Sequence, residues 1–97
     1  MHARITRYEL KPDRLEEANA IIEQIRPQIL QIPGLKEYLS FRSFDGTRGT
    51  AITIYESRAH AEASMQKALQ LWVKLTEFLV STPESEGYEL IAHAMPI

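Results

Sequence analysis

The chain is 97 residues long, 44% hydrophobic and 25% charged, which is the size and composition of one globular domain. Its formal net charge is −2 and its lysines and arginines are scattered, so it lacks the basic patch typical of nucleic-acid binding. It has no cysteine, which excludes disulfides, thiolate catalysis and cysteine-based zinc sites. No apolar run approaches the ~20 residues of a membrane span and no signal peptide precedes the first strand, so we expect a cytoplasmic protein.

The first third of the chain predicts a strand and then a long helix. Residues 2–10 (HARITRYEL) are rich in β-forming residues and stop at a turn signal, Lys11-Pro12-Asp13. Apolar residues then recur at spacings of three and four, which places them on one helix face: Leu15, Ala18, Ile22, Ile25, Ile29 and Ile32. Pro27 lies inside this stripe and predicts either a kinked helix or two helices in succession.

The stretch from Gly34 to Ser57 predicts a β-hairpin that leads into a second helix. Side chains alternate across a strand, so each parity forms one face of the hairpin. One face is aliphatic: Leu35, Leu39, Phe41, Ile52 and Ile54. The other is polar and aromatic: Tyr38, Ser40, Arg42, Phe44, Ala51, Thr53 and Tyr55. We expect the helices to cover the aliphatic face.

The remaining segments complete a recognisable order. Ser57 predicts the cap of a helix over about residues 58–80, whose inward stripe is Met65, Ala68, Trp72, Leu75 and Leu79. A loop over residues 81–87 and a strand over residues 88–95 follow. The resulting order, βαββαβ, predicts a single ferredoxin-like α+β domain over residues 1–97, an antiparallel four-stranded sheet with two helices on one face.

The face that the helices leave uncovered is predicted to meet a second copy of the chain. On this interpretation it carries polar and aromatic side chains: Arg4, Thr6, Tyr8, Tyr38, Arg42, Phe44, Thr53 and Tyr55. Large aromatic residues on an open sheet indicate a partner, and two such sheets facing each other form a barrel about a two-fold axis. We therefore expect a homodimer, as a dimeric α+β barrel.

Three segments give the chain a family resemblance. They are residues 4–12 (RITRYELKP), 32–35 (IPGL) and 54–57 (IYES), and they resemble the antibiotic-biosynthesis-monooxygenase (ABM) domain family of the dimeric α+β barrel superfamily, over essentially the whole chain. The resemblance implies a cofactor-independent monooxygenase acting on a small phenolic or quinone-like compound. The alternatives that it leaves open are a non-catalytic ligand-binding or interaction dimer of the same fold and, third, a haem-binding protein.

The chain departs from the family's catalytic patterns. Tyr55 stands where members commonly have the tryptophan of Trp-Glu-Ser, and Ala51 stands where the oxygenases place an asparagine. The first-strand asparagine of the haem-degrading members falls near Thr6, and Lys74 lies roughly where their histidine would. No catalytic residue is therefore assigned from the resemblance.

Five side chains are predicted to contact a small ligand: Tyr55, Tyr38, Arg42, His93 and Trp72. For Tyr55, one interpretation is that its hydroxyl donates a hydrogen bond to a bound ring or oxygen species. The alternative is that it packs in the dimer interface. Arg42 holds a carboxylate or phenolate, or pairs with an acidic residue across the dimer. His93 is a candidate base, and Trp72 belongs to the core or to the pocket. The three histidines lack spaced carboxylates, so we expect no metal, and the resemblance implies no cofactor.

Overall fold

The computed structural model describes all 97 residues and contains four strands and three α-helices. In chain order these are β1 (His2–Glu9), α1 (Leu15–Ile29), β2 (Leu35–Arg42), β3 (Arg48–Tyr55), α2 (Arg58–Ala63), α3 (Met65–Val73) and β4 (Glu84–Glu89). The strands form one antiparallel sheet in the order β2-β3-β1-β4. The helices pack on one face of it, which confirms the predicted ferredoxin-like α+β fold. No helix is long and apolar enough to cross a membrane.

The first helix tolerates its proline. A 3-10 turn over Pro12–Arg14 leads into α1, which continues to Ile29, two residues beyond Pro27. Because Pro27 lies in the last turn, the backbone bond that it removes is at the frayed end of the helix. The predicted stripe is therefore one helix followed by a turn, and it buries Ala18, Ile25 and Ile32 against the sheet.

The predicted second helix is divided in two. Ser57 caps α2 as expected, its Oγ accepting a hydrogen bond from the His60 backbone N–H at 3.2 Å. The helix ends at Ala63, and a new one begins after Ser64, whose buried hydroxyl donates to the Pro33 carbonyl oxygen at 3.3 Å. This bond ties the junction between α2 and α3 to the turn before β2. A 3-10 turn, Thr76–Phe78, replaces the predicted last helical turns.

The predicted limits of the last strand are wrong. Residues 84–89 pair with β1, from Arg7 opposite Glu84 to His2 opposite Glu89, whereas most of the predicted strand over residues 88–95 lies beyond the sheet. The reason is that β4 is an edge strand exposed on both faces, so its sequence, ESEGYE, has no apolar alternation to reveal it.

The helices cover the opposite face of the sheet from the one predicted. Tyr8, Tyr55 and Thr6 are buried, and both tyrosine rings belong to the core that the helices complete. A β-bulge contributes to the difference: Leu35 pairs with Tyr55, and the next pair is Glu37 with Ile54, so Leu35 shares the tyrosine face. Tyrosine rings are also apolar apart from the hydroxyl, so this face packs well against isoleucines.

The other face, here called the open face, carries the aliphatic residues of the hairpin. Phe41 is 54% exposed there, and Leu39 and Ile52 are half-buried. His93 Nε2 lies 3.5 Å from Glu37 Oε2 on β2, although β2 and β4 are opposite edges of the sheet. The carboxyl-terminal segment, residues 90–97, therefore crosses the open face.

Candidate functional site

A cavity of about 80 Å³ lies between the sheet and the helices. The sheet contributes Arg4, Thr6, Tyr8, Tyr38, Ala51, Thr53 and Tyr55 to its lining. The helices and the turn after α1 contribute Ile22, Ile25, Ile29, Ile32, Ala68, Leu71, Trp72 and Leu75. The lining is thus a sheet wall of phenols and small polar groups facing a helical wall of aliphatic side chains, with Arg4 as its one charged residue.

A wider cleft of about 690 Å³ adjoins this inner cavity. The two spaces share five lining residues: Arg4, Thr6, Tyr55, Ala68 and Trp72. From these the cleft extends along α3 to the segment that precedes β4, where Ser81, Pro83 and Ser85 line it. Its size lies within the range of roughly 300–1,000 Å³ that is usual for small-molecule sites. The inner cavity is therefore the base of an accessible cleft.

Aromatic rings form the strongest geometric feature of the cavity. The Tyr8 and Trp72 ring centroids are 5.3 Å apart with an angle of 62° between the planes, an edge-to-face contact between β1 and α3. Tyr55, at the end of β3, is 2% exposed and lines both the cavity and the cleft. Such walls favour a flat, apolar ligand, because ring faces and edges offer contact area without requiring hydrogen bonds.

The end of the cavity at Tyr8 is closed by an internal hydrogen-bond network. Arg42 Nη1 donates to Asn19 Oδ1 at 2.9 Å and to the Gly46 carbonyl oxygen at 3.2 Å. Arg42 Nη2 lies 3.4 Å from the Tyr8 hydroxyl, with the guanidinium 5.7 Å from the ring centroid. Gly49 faces the same ring, and a Cβ there would lie 2.1 Å from Tyr8 Cζ. Arg42 thus positions Tyr8 and is not itself part of the lining.

The end of the cavity at Arg4 is open to the cleft and less completely bonded. Arg4 Nη1 donates to Ser85 Oγ at 3.2 Å, and Ser85 Oγ lies 3.1 Å from Thr6 Oγ1. Arg4 Nε is buried and has no acceptor. None of the ion pairs in the chain involves Arg4. A half-buried guanidinium consequently faces the cleft with no carboxylate within ion-pair distance, although Arg4 also borders a neighbouring cleft that Glu56, Glu62 and Glu89 line.

The lining contains no group that is a ready proton acceptor at neutral pH. Neither the cavity nor the cleft is lined by histidine, aspartate, glutamate or lysine. His93, predicted as a candidate base, lies on the open face beside Glu37, with the sheet between it and the cavity. His60 is exposed on α2, where its Nδ1 lies 2.7 Å from Ser57 Oγ. No group of histidine, aspartate and glutamate side chains is arranged to hold a metal ion.

The structure gathers three of the five predicted ligand residues around one cavity: Tyr38, Tyr55 and Trp72. Arg42 lies behind Tyr8, and His93 lies on the other side of the sheet. Arg4 and Tyr8 were not predicted as site residues. The available signal was their shared parity with Thr6 on β1, but it identifies a site only once the covered face is known.

Fold and site together define a class: a ferredoxin-like α+β domain with an aromatic-walled cavity between its sheet and its helices. The sequence profile of the family described as antibiotic biosynthesis monooxygenase matches residues 1–78, so the chain belongs to that family. This confirms the resemblance seen in residues 4–12, 32–35 and 54–57. The matched range includes every strand except β4.

Solved structures agree on the fold. A putative antibiotic biosynthesis monooxygenase from Nitrosomonas europaea superposes with a TM-score of 0.82 at 20% identity, covering 95% of this chain and 100% of that one. Rv0793 from Mycobacterium tuberculosis gives 0.78 at 19% identity, covering 97% and 98%. A mutant of SnoaB, a cofactor-independent oxygenase from Streptomyces nogalater, gives 0.75 at 13% identity, covering 95% and 94%. No curated protein matches significantly. At these identities the likeness concerns the fold alone.

Proposed function

We propose that this protein is a cofactor-independent monooxygenase acting on a small phenolic or quinone-like compound. The observation that carries the proposal is the cavity walled by Tyr8, Tyr55 and Trp72, which opens into a cleft large enough for a fused ring. Membership of the antibiotic biosynthesis monooxygenase family supports the choice of reaction, and SnoaB is a cofactor-independent oxygenase with the same fold.

In the proposed reaction the substrate supplies the electrons. A ring enolate or phenolate transfers an electron to O₂, and the resulting radicals combine to form a C–O bond. Loss of water then leaves a carbonyl, so a ring CH₂ and O₂ give C=O and H₂O. The protein contributes burial, which excludes water, and positioning of the ring against its aromatic wall. Tyr38 and Tyr55 are the phenols in the lining that can donate hydrogen bonds to developing negative charge on oxygen.

Oxygen consumption tests this proposal. A panel of hydroquinones and hydroxynaphthalenes, including members acidic enough to be ionised at the pH of the assay, is incubated with the protein in an oxygen electrode cell. Ala68 lines both the cavity and the cleft, so Ala68→Phe should block the site and abolish protein-dependent oxygen uptake. Ala63→Phe, at an exposed position of the adjacent α2, is the matched control and should retain it. Uptake that is absent throughout the panel, or that survives Ala68→Phe, contradicts the proposal.

The second candidate function is a non-catalytic small-ligand-binding or interaction dimer. The observation that favours it is the lining itself, which holds no proton acceptor and has Ala51 where the family's oxygenases place an asparagine. This candidate predicts saturable ligand binding, blocked by Ala68→Phe, with no oxygen uptake. The two functions are therefore separated by measuring binding and oxygen consumption on the same compounds.

We propose further that the protein forms a homodimer through the open face. The predicted dimer used the tyrosine face, but the helices cover that face. The open face instead presents Phe41, with Leu39 and Ile52 beside it on the sheet. Apolar side chains on a sheet face that no helix covers favour a second copy.

Light scattering tests the dimer. The protein at micromolar concentration should have twice the mass of the chain, and Phe41→Asp should reduce it to the mass of one chain. Phe44→Asp, at a more exposed phenylalanine in the turn after β2, should leave the dimer intact. A wild-type mass of 11.1 kDa, or a dimer that both substitutions leave unchanged, overturns this interface.

A further inference from the structure

We infer that Arg4 makes this cavity selective for anionic ligands, namely aromatic molecules that carry an ionised oxygen group such as a phenolate, an enolate or a carboxylate. The inference rests on the proposed function in that the cavity must take an aromatic molecule. It adds the charge of that molecule and the residue that recognises it.

The first argument is that Arg4 lacks an anion. The guanidiniums of Arg14, Arg26 and Arg58 each lie within 3.0 Å of a glutamate oxygen. Arg4 and Arg42 are in no ion pair and each has a buried Nε without an acceptor, but Arg42 donates to three groups whereas Arg4 donates to the Ser85 hydroxyl alone. A partly buried charge is costly unless it is paired, and burial strengthens its attraction for any anion that enters. The structure thus holds the cationic half of an ion pair at the entrance to the inner cavity.

The second argument concerns where Arg4 lies. It lines both the inner cavity and the cleft, as Trp72 does, so a ring seated on Trp72 is within the same space as the guanidinium. Thr6 and Ser85 extend the polar side of this space through the contact between their hydroxyls, at 3.1 Å. A ligand with an apolar ring and an oxygen anion at one edge matches both halves of the site.

The third argument is the missing base. Because no histidine, carboxylate or lysine lines the site, the protein has no ready means of removing a proton from a weakly acidic substrate. A compound that is already ionised at neutral pH avoids that step. Arg4 stabilises the ionised form in the site and so favours the compounds from which an electron can pass to O₂.

Two naphthoquinones that differ in charge test the inference. 2-Hydroxy-1,4-naphthoquinone is anionic at pH 7, whereas 2-methoxy-1,4-naphthoquinone is neutral and has nearly the same shape. The chain has one tryptophan, Trp72, and it lines the site, so quenching of its fluorescence reports binding directly. We expect the anion to bind about tenfold more tightly than the neutral ether, the value of one charge-assisted hydrogen-bonded contact.

Substitutions on β1 assign the effect to Arg4. Arg4→Gln should abolish the preference for the anion, and Arg4→Lys should retain part of it as a point charge. Lys67→Gln is the matched control: it removes an equal charge from an exposed side chain of α3 that lines neither the cavity nor the cleft, and should leave the preference intact. Circular dichroism checks that each variant is folded.

The outcomes separate this inference from the proposed function. Equal affinities in the wild type, or equal losses in Arg4→Gln and Lys67→Gln, overturn the anion selectivity and leave the aromatic cavity standing. Absence of quenching by both naphthoquinones, also at high ionic strength, contradicts the aromatic site itself. If Arg4→Gln does not fold, the wild-type pair together with Arg4→Lys decides the question, because a lysine that binds both compounds equally also overturns it.

Discussion

The two ends of the cavity carry one arginine each, and the chain surrounds them differently. At the closed end, Arg42 donates to Asn19, to the Gly46 carbonyl oxygen and to the Tyr8 hydroxyl. At the open end, Arg4 donates to the Ser85 hydroxyl alone, and the Nε of each arginine is buried without an acceptor. The same side chain on the same face of the sheet therefore donates to three groups in one place and to one group in the other. The difference leaves more of the Arg4 guanidinium than of the Arg42 guanidinium available to the ligand proposed above.

The largest change in the free energy of unfolding is expected from an alanine substitution at Gly49, the glycine at the closed end. Gly49→Ala places a Cβ 2.1 Å from Tyr8 Cζ, and Arg42 holds that ring in place, so the closed end has to be rearranged. We expect a loss of about 3 kcal/mol in the free energy of unfolding, the upper part of the range for overpacked sites. Urea denaturation measures it.

Gly87→Ala is the matched substitution at the open end. Its Cβ would lie 2.8 Å from the tip of the His2 side chain, which can turn aside. We expect a loss of less than about 1 kcal/mol, as for a substitution that a flexible neighbour accommodates. Equal losses at the two glycines would mean that the closed end is no more rigid than the open one.

The second-largest effect is expected when each arginine is replaced by methionine and the two changes in the free energy of unfolding are compared. Arg42→Met leaves Asn19 and the Tyr8 hydroxyl without their partner and should lower the free energy of unfolding by about 1–2 kcal/mol. Arg4→Met removes one hydrogen bond to a neutral hydroxyl but also a partly buried guanidinium without a carboxylate partner, so we expect a change within about 0.5 kcal/mol. Thermal and urea unfolding of both variants give the two values. A large loss for Arg4→Met alone would reverse the roles assigned to the two arginines.

The smallest change in stability is expected from Asp45, in the turn between β2 and β3 that supports the closed end. The Thr47 backbone N–H and the hydroxyls of Ser43 and Thr47 donate to Asp45, and these hydrogen bonds lower the pKa of its carboxyl to about 2 from an ordinary 3.8. Since the folded-state pKa is the lower one, the stabilisation is present above pH 3.8 and is lost as the pH falls through about 2.

Asp45→Asn isolates this contribution. The difference in unfolding free energy between wild type and Asp45→Asn should be constant near neutral pH and should shrink as the pH falls from 3.8 to about 2. Urea denaturation across this range, at constant ionic strength, measures the difference. A difference that does not change with pH would show that the turn does not depend on the ionised carboxyl.

The sequence predicted the order of elements because periodicity and caps are local signals. The isoleucine stripe of α1, the hairpin after Gly34 and the cap at Ser57 were all readable from neighbouring residues. Strand β4 was misplaced because an exposed edge strand needs no apolar pattern. The break at Ser64 escaped prediction because its cause, a bond to the Pro33 carbonyl oxygen, joins distant parts of the chain.

The site was predicted less completely, for a different physical reason. Alternation showed that Tyr38 and Tyr55 share a face, but it does not say which face the helices cover. Tyrosine is compatible with both a covered and an exposed sheet face, because its ring is apolar and its hydroxyl is polar. Because the helices cover the face opposite to the predicted one, Tyr38 and Tyr55 line an interior cavity together with Arg4 and Tyr8. His93 lies on the other side of the sheet. Which groups share a cavity depends on packing that no single segment encodes.

The composition of β4 also affects how copies of the chain can meet. An edge strand offers unpaired backbone groups to any other strand, and proteins with bare edges tend to associate by extending their sheets. Here the edge carries glutamates at Glu84, Glu86 and Glu89, so two such edges repel each other when brought together. The acidic rim thereby disfavours open-ended sheet growth and leaves face-to-face stacking as the less obstructed mode of self-association.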